Sequence, residues 1–184
     1  MSTANVFKLK VTEDMIIIGI DPGRNGGIAV LNTITGKITA TYRLSKLELP
    51  QLVAMFQDFF IMSKLKEGLY CVFERPFLKP HMVYKVCPKC KSKILTAVPQ
   101  QGIMTSLINY GKLLGIASGA NLFVVEVESA EWKKHLGLTK DKSLSFDLVK
   151  KLYPEIELKY KAQDGVAEAI LIAHYGKEVL CKNI

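Results

Sequence analysis

The sequence predicts an α/β fold built on a five-stranded mixed sheet, an antiparallel meander followed by parallel strands, flanked by helices. Three observations carry this. Residues 15–21 form a short, β-branched, mostly apolar run, as expected of a central strand buried on both faces. Two further strand-like runs follow at once, separated only by turn chemistry. Beyond them the pattern alternates between helical and strand periods, the usual source of a mixed sheet.

The elements follow in order. The first strand, 15–21, ends in Asp21-Pro-Gly-Arg-Asn-Gly-Gly27, a turn by composition. A second strand resumes at 28–31, Thr35-Gly36 marks another turn, and a third strand occupies 37–43. Residues 49–62 have helical period, with Leu52, Met55, Phe56 and Phe59 on one face and Pro50 near the start. A strand is expected at 69–74. A helix at 102–120 carries Gly111, Gly115 and Ala117, small residues that suit close packing, and a fifth strand follows at 122–127. Helices at 130–136 and 144–152, the latter stopped by Pro154, precede a last helix from Asp164 to about residue 179. A possible short strand at 6–11 is the only pattern in the first 14 residues.

With 184 residues and no long Gly/Ser-rich or Pro-rich linker, one domain with one sizeable core is expected. Residues 79–92 depart from the pattern. They are polar and Lys-rich, contain Cys87-Pro-Lys-Cys90, and read as an insertion, a loop or small hairpin between a strand and a helix. The 25 Lys and Arg against 17 Asp and Glu give a formal charge of +8, which favours a polyanionic partner, nucleic acid above all. No run approaches the ~20 apolar residues of a membrane span, and the opening residues lack the apolar core of a signal peptide. Four cysteines without an export signal suggest reduced thiols in a cytoplasmic setting.

Carboxylates mark the chemistry. Asp21 stands at the carboxyl end of the first strand, where open α/β sheets collect their sites, and Gly23, Gly26 and Gly27 allow close approach of a phosphate or metal. The same three residues also fit ordinary turn chemistry, with Asp accepting local hydrogen bonds. Glu74 ends the strand 69–74; a carboxylate there must be solvated, paired (Arg75 is adjacent) or metal-bound. Asp164 and Glu168 are one turn apart on one helix face, an arrangement that also serves capping and the helix dipole. The almost wholly apolar continuation Ala169-Ile-Leu-Ile-Ala173 argues for a buried helix presenting two acids into a site. Phosphodiester hydrolysis by two Mg²⁺ needs three or four such carboxylates from separate elements. Strand 1, strand 4 and a C-terminal helix supply them in the RNase H-like arrangement.

In order along the chain, Ile18-Gly-Ile-Asp-Pro-Gly23 with Gly26-Gly-Ile-Ala29, Phe73-Glu-Arg-Pro76, Asn109-Tyr-Gly-Lys-Leu-Leu-Gly115, Val127-Glu-Ser-Ala-Glu-Trp-Lys-Lys134, Lys140-Asp-Lys-Ser143 and Lys161-Ala-Gln-Asp-Gly-Val-Ala-Glu-Ala169 resemble the RuvC-type Holliday-junction resolvases, most of all phage and plastid members. The series spans most of residues 15–176. The resemblance implies a homodimeric endonuclease that cleaves four-way DNA junctions with Mg²⁺ or Mn²⁺. On it, Asp21, Glu74, Asp164 and Glu168 are metal ligands and Lys142 is a basic residue near the scissile phosphate. Phe77 matches an aromatic that stacks at the junction centre, with core packing as its alternative, and Lys133, Lys134 and Lys140 are candidate DNA contacts. Bacterial members often carry an acid three residues before the last helix's Asp; Lys161 stands there, so the fourth carboxylate falls to Glu168.

Other readings share parts of this pattern. Actin-like ATPases and sugar kinases open on a similar Asp-x-Gly hairpin but duplicate the domain. A nuclease for other branched DNA or RNA, or a non-catalytic nucleic-acid-binding module, would keep the basic surface. Cys87 and Cys90 have the spacing of half a zinc site, with His81, Cys181 or a second protomer as possible completions and two free surface thiols as the alternative. Cys71 reads as packed core, and Trp132 as a packing anchor with basic neighbours.

Overall fold

A computed structural model describes residues 15–65, 68–76, 82–97, 100–139, 141–159 and 163–181. The strands are β1 (Met15–Asp21), β2 (Gly27–Asn32), β3 (Ile38–Arg43), β4 (Gly68–Arg75), β5 (Met82–Val86), β6 (Lys93–Ala97) and β7 (Phe123–Glu128). The helices are α1 (Leu49–Leu65), α2 (Gln100–Gly119), α3 (Ser129–His135), α4 (Lys142–Leu152) and α5 (Asp164–Leu180). The main sheet has the order β3-β2-β1-β4-β7: β1 to β3 are an antiparallel meander, while β4 and β7 run parallel to β1. This is the RNase H-like five-stranded mixed sheet expected from the sequence. The possible strand at 6–11 lies outside the described residues. Among the described residues no helix is long and apolar enough to cross a membrane.

The strand period of two sorts the core into two layers. From β1, Met15 and Ile17 join Tyr70 and Val72 of β4 under α5, with α3 and α4 contributing Trp132, Phe146 and Val149. The intervening Ile16, Ile18 and Ile20 join Leu69, Cys71 and Phe73 on the other face, beneath Phe56 and Phe59 of α1 and Leu113 and Ala117 of α2. β1 is buried along its whole length because both faces are covered.

Helix α5 lies unusually close to the sheet, and glycine makes that possible. A Cβ on Gly19 would sit 2.1 Å from the Ala169 carbonyl and 2.4 Å from the Ala173 amide. One on Gly27 would meet the Val166 Cα at 2.7 Å, and one on Gly176 the Val72 and Ile17 methyls at 2.7 and 2.9 Å. The bare backbone of β1 and β2 thus forms the seat of α5. Gly111 and Gly115 behave differently from the expectation. A Cβ at either would have no neighbour within 4 Å, so close packing of α2 rests on Leu113 and Ala117 instead.

Part of the Lys-rich stretch at 79–92 is a hairpin, β5 paired antiparallel with β6 as a separate two-stranded sheet. Its turn holds Cys87 and Cys90, both free thiols. Hydrogen bonds from the Ser92 hydroxyl and amide and from the Cys87 thiol lower the Cys90 thiol to about 7.

The α5 seat sets a stability test. Gly19→Ala must force helix and sheet apart and should cost about 3 kcal/mol in urea denaturation, the upper range for overpacking. Gly111→Ala, in open space within a helix, should instead gain up to ~1 kcal/mol.

Candidate active site

The alternation that sorts the core also aims the acids. Ile20 pairs with Phe73 in the parallel β1–β4 register, so Asp21 and Glu74 come next, side by side at the carboxyl ends of adjacent strands. Asp21 continues the parity of Ile17 and Gly19, and Glu74 that of Tyr70 and Val72, which places both on the α5 side. The start of α5 reaches the same end of the sheet. Gly26, in the loop after Asp21, bridges Gly165, and a Cβ on Gly165 would meet the Asn25 carbonyl at 2.2 Å. Asp164 and Glu168 therefore open α5 against the Asp21 loop. Asp21 is 8% and Glu168 9% exposed, the two buried acids of the core.

Each carboxylate has a defined environment. Asp21 Oδ1 accepts the Gly23 amide at 2.8 Å, and the Gly26 amide donates to the Gly23 carbonyl at 2.9 Å, so the acid also organises its own turn. Glu74 does not pair with Arg75, whose guanidinium turns to Glu128. Glu74 Oε2 instead accepts the indole N–H of Trp132 at 2.9 Å. Burial pushes the Glu74 carboxyl above the usual carboxylate range, and the charge of Glu168 adds to the rise. The Lys133 ammonium and hydrogen bonds from Trp132 and Ser129 oppose it. Lys133 Nζ lies 2.7 Å from Glu168 Oε1, with side-chain exposures of 20% and 12%.

Helix α3 thus supplies two residues whose part in the site the sequence did not disclose. Trp132 is fully buried, as a packing anchor should be, but it also orients Glu74. Lys133, expected as a DNA contact, pairs with Glu168 and offsets part of the acids' charge. Lys134 is exposed beside it. Lys142 is the first residue of α4, whose N-cap Asp141 accepts the Ser143 amide at 2.9 Å. Phe77, Lys140 and Lys161 lie outside the described residues, as does His81. The signal that could have found the Trp132–Glu74 contact was the short span between β7 and Trp132: β7 neighbours β4, so a helix starting at Ser129 begins beside Glu74.

The donors, carboxylate oxygens from β1, β4 and α5, are of the kind a hard divalent cation takes. Among the described residues no three acidic, histidine or cysteine side chains are gathered into a finished cage. Glu168 is instead paired with the Lys133 ammonium. Beside the Asp21 loop, Arg24, Ser45, Asn109 and Lys112 line a cavity of about 280 Å³ bounded by Leu44, Leu47 and Leu52. Its apolar wall, Leu44, Leu52 and Leu113, belongs to the α1 and α2 side of the sheet, opposite the face that carries Asp21 and Glu74.

On the far side of α3 and α5, His135 Nε2 lies 2.8 Å from Glu178 Oε2, and His174 Nε2 lies 3.7 Å from Glu178 Oε1. The Tyr153 hydroxyl is 2.8 Å from His174 Nδ1, and the Tyr175 hydroxyl donates to Glu131 at 2.8 Å. This network clamps α3 to α5 and so holds Trp132 and Lys133 over the acids.

Fold and site together define a class: an RNase H-like domain with acids gathered at the carboxyl end of its central strands. None of the family models or curated protein sequences compared with the chain matches it. Among solved structures it is similar to Thermus thermophilus RuvC in complex with a Holliday junction substrate. The TM-score is 0.52 at 10% identity, covering 90% of this chain and 96% of that one. A second structure of Thermus thermophilus RuvC gives a TM-score of 0.50 at 14% identity over the same shares. The likeness is one of fold.

Trp132→Phe keeps most of the buried ring but removes the donor to Glu74; denaturation should show a loss of about 1–3 kcal/mol, the cost of an unsatisfied buried acceptor. The clamp predicts a pH dependence. Burial lowers the His174 pKa below its ordinary 6.5, helped by Lys177 and His135 and opposed by Glu178, while Tyr153 caps its other nitrogen. The folded state then binds the proton less tightly than the unfolded one. Its stability is complete above pH 6.5 and declines as the pH falls through that value. Denaturation between pH 7.5 and 5.5 should show this slope in the wild type and a flatter one in His174→Gln.

Proposed function

We propose that the chain is a structure-selective endonuclease that cleaves four-way DNA junctions by metal-dependent phosphodiester hydrolysis. The convergence of Asp21, Glu74, Asp164 and Glu168 on the α5 side of one sheet end carries this reading. Three observations support it: the fold likeness to a RuvC in complex with a Holliday junction substrate, the ordered series of motifs that resemble the resolvases, and the formal charge of +8.

In this reading the four carboxylates hold Mg²⁺ or Mn²⁺, two ions per site, which supply activated water and charge stabilisation at the leaving oxygen. The chain's own residues prepare that chemistry. Trp132 fixes the rotamer of Glu74 through its indole N–H, and the Gly23 amide fixes Asp21. Lys133 holds the like-charged Glu74 and Glu168 together, and cation binding relieves it of that task. Lys142 is assigned to the charge that develops at the scissile phosphate. Arg24 and Lys112, which line one cavity, suit the phosphates of an entering strand, and Lys134 and Lys140 are assigned to further DNA contacts. Phe77 is assigned to stacking at the opened junction. A single catalytic domain acting as a homodimer in the cytoplasm completes the proposal.

A labelled synthetic four-way junction and a linear duplex, each incubated with Mg²⁺, Mn²⁺ or EDTA, test this directly. Paired nicks near the branch point are expected with either metal, and none with EDTA or in Asp21→Asn. Equal cleavage of the linear duplex would remove junction selectivity and leave a general nuclease. Binding without cleavage in both metals would leave a nucleic-acid-binding module.

A further inference from the structure

Nothing in the nuclease reading uses the hairpin at residues 82–97, yet its turn is the most specialised piece of backbone outside the acid site. The last strand pair is Val86 with Lys93, and the six residues between them begin with Cys87 and include Cys90. The Cys87 amide donates to the Ser92 carbonyl at 2.8 Å, closing the hairpin one step beyond its strands. The Lys91 amide returns to the Cys87 carbonyl at 2.9 Å, wrapping residues 87–91 into a tight turn. That turn requires Lys91 to adopt φ +59°, a left-handed conformation that costs a non-glycine residue about 1 kcal/mol.

The strain brings two thiols together. The turn that closes Cys87 onto Lys91 carries Cys90 within it, and Cys90 Sγ lies 2.9 Å from the Ser92 hydroxyl. Amide and hydroxyl donors around a sulfur stabilise its thiolate, the form that binds soft and borderline metals. A two-stranded hairpin is marginal by itself in water, and this one shares no strand with the main sheet. Its tip is exposed at Val86 and from Pro88 through Lys93, so no packed side chains anchor the turn. The tip has the geometry of a metal knuckle and the need for a staple.

We propose that Cys87 and Cys90 form half of a tetrahedral zinc site, completed by the same two cysteines of a second copy of the chain. Zinc prefers four ligands in a structural site, and one hairpin offers two. Among the described residues no third cysteine, histidine or acid joins them. Cys71 is buried in β4 and Cys181 caps α5, each away from the hairpin. Charge favours the pairing of two tips around a metal. Each tip exposes Lys89, Lys91 and Lys93, so two bare tips repel. Four thiolates around one Zn²⁺ carry a net charge of −2 between them, which turns that repulsion into attraction. Assembly releases the two thiol protons of each chain and changes no oxidation state.

The full-length chain, purified under a phosphine reductant and loaded with Zn²⁺, tests the site independently of any nuclease activity. Metal analysis and native mass spectrometry should give one zinc per two chains, carried by the dimer. Co²⁺ substituted for zinc should show the intense sulfur-to-cobalt charge-transfer bands of four thiolates. Cys87→Ser and Cys90→Ser should each lose the metal while keeping the circular dichroism of the wild type. Failure to retain zinc at that stoichiometry would overturn the proposal. So would one zinc per chain with a two-thiolate cobalt spectrum, which places the remaining ligands within one copy, and so would zinc retained by the double variant.

Discussion

The seating of α5 on bare backbone is the constraint from which the rest of the structure follows. Gly19 and Gly27 remove the side chains that would hold a helix at the ordinary distance, and Gly176 does the same farther along. At that closeness the Ala169 carbonyl lies over β1, and the Gly165 backbone bridges Gly26 in the loop that follows Asp21. Position along the helix axis is then no longer free. A shift of one residue would drive a Cβ into a carbonyl, so the first turn of α5 can end only beside the Asp21 loop. Packing of this kind converts a general hydrophobic attraction into a fixed register.

Fixed register matters because carboxylates repel. Asp21, Glu74 and Glu168 would separate if their elements could slide, and burial raises the cost of keeping Glu74 charged. The fold resists this from two sides. The glycine seat fixes α5 against β1 and β2, and the network of His135, Glu178, His174 and Tyr153 ties α3 and α4 to α5. Trp132 then reaches Glu74 from a helix that is anchored at both faces. The acid cluster is held by the glycine seat of α5 and by the polar contacts of α3, Trp132 to Glu74 and Lys133 to Glu168.

Much of this was legible in the sequence, and for a physical reason. The strand period of two and the apolar run 15–21 identify a doubly buried strand, and Asp21 ends it. The switch from acids to a wholly apolar stretch within α5 identifies a buried helix that opens into a site. The partners of those acids were less legible. Arg75 is adjacent to Glu74 in sequence, but successive residues on a strand point to opposite faces, so Arg75 meets Glu128 instead. Lys133 reads as one more cation on a basic helix, since its pairing with Glu168 depends on the α3–α5 crossing, which no local pattern records. The open surroundings of Gly111 and Gly115 carry the same lesson: small residues permit close approach without requiring it.

The position of Lys133 bears on how such a site passes between states. Its ammonium lies 2.7 Å from Glu168 and lowers the tendency of Glu74 to take up a proton. A single positive charge can balance part of a three- or four-carboxylate cluster, not all of it, so an electrostatic deficit remains that divalent cations are suited to fill. A lysine is well chosen for the interim. On the proposed reading its flexible stem would let the ammonium yield a carboxylate to a divalent cation, whereas the rigid fork of an arginine would hold both carboxylate oxygens. On the proposed nuclease reading, α3 stays clamped by its contacts with α5 while only the lysine's charge would need to be replaced, so the backbone that holds the acids would not have to move.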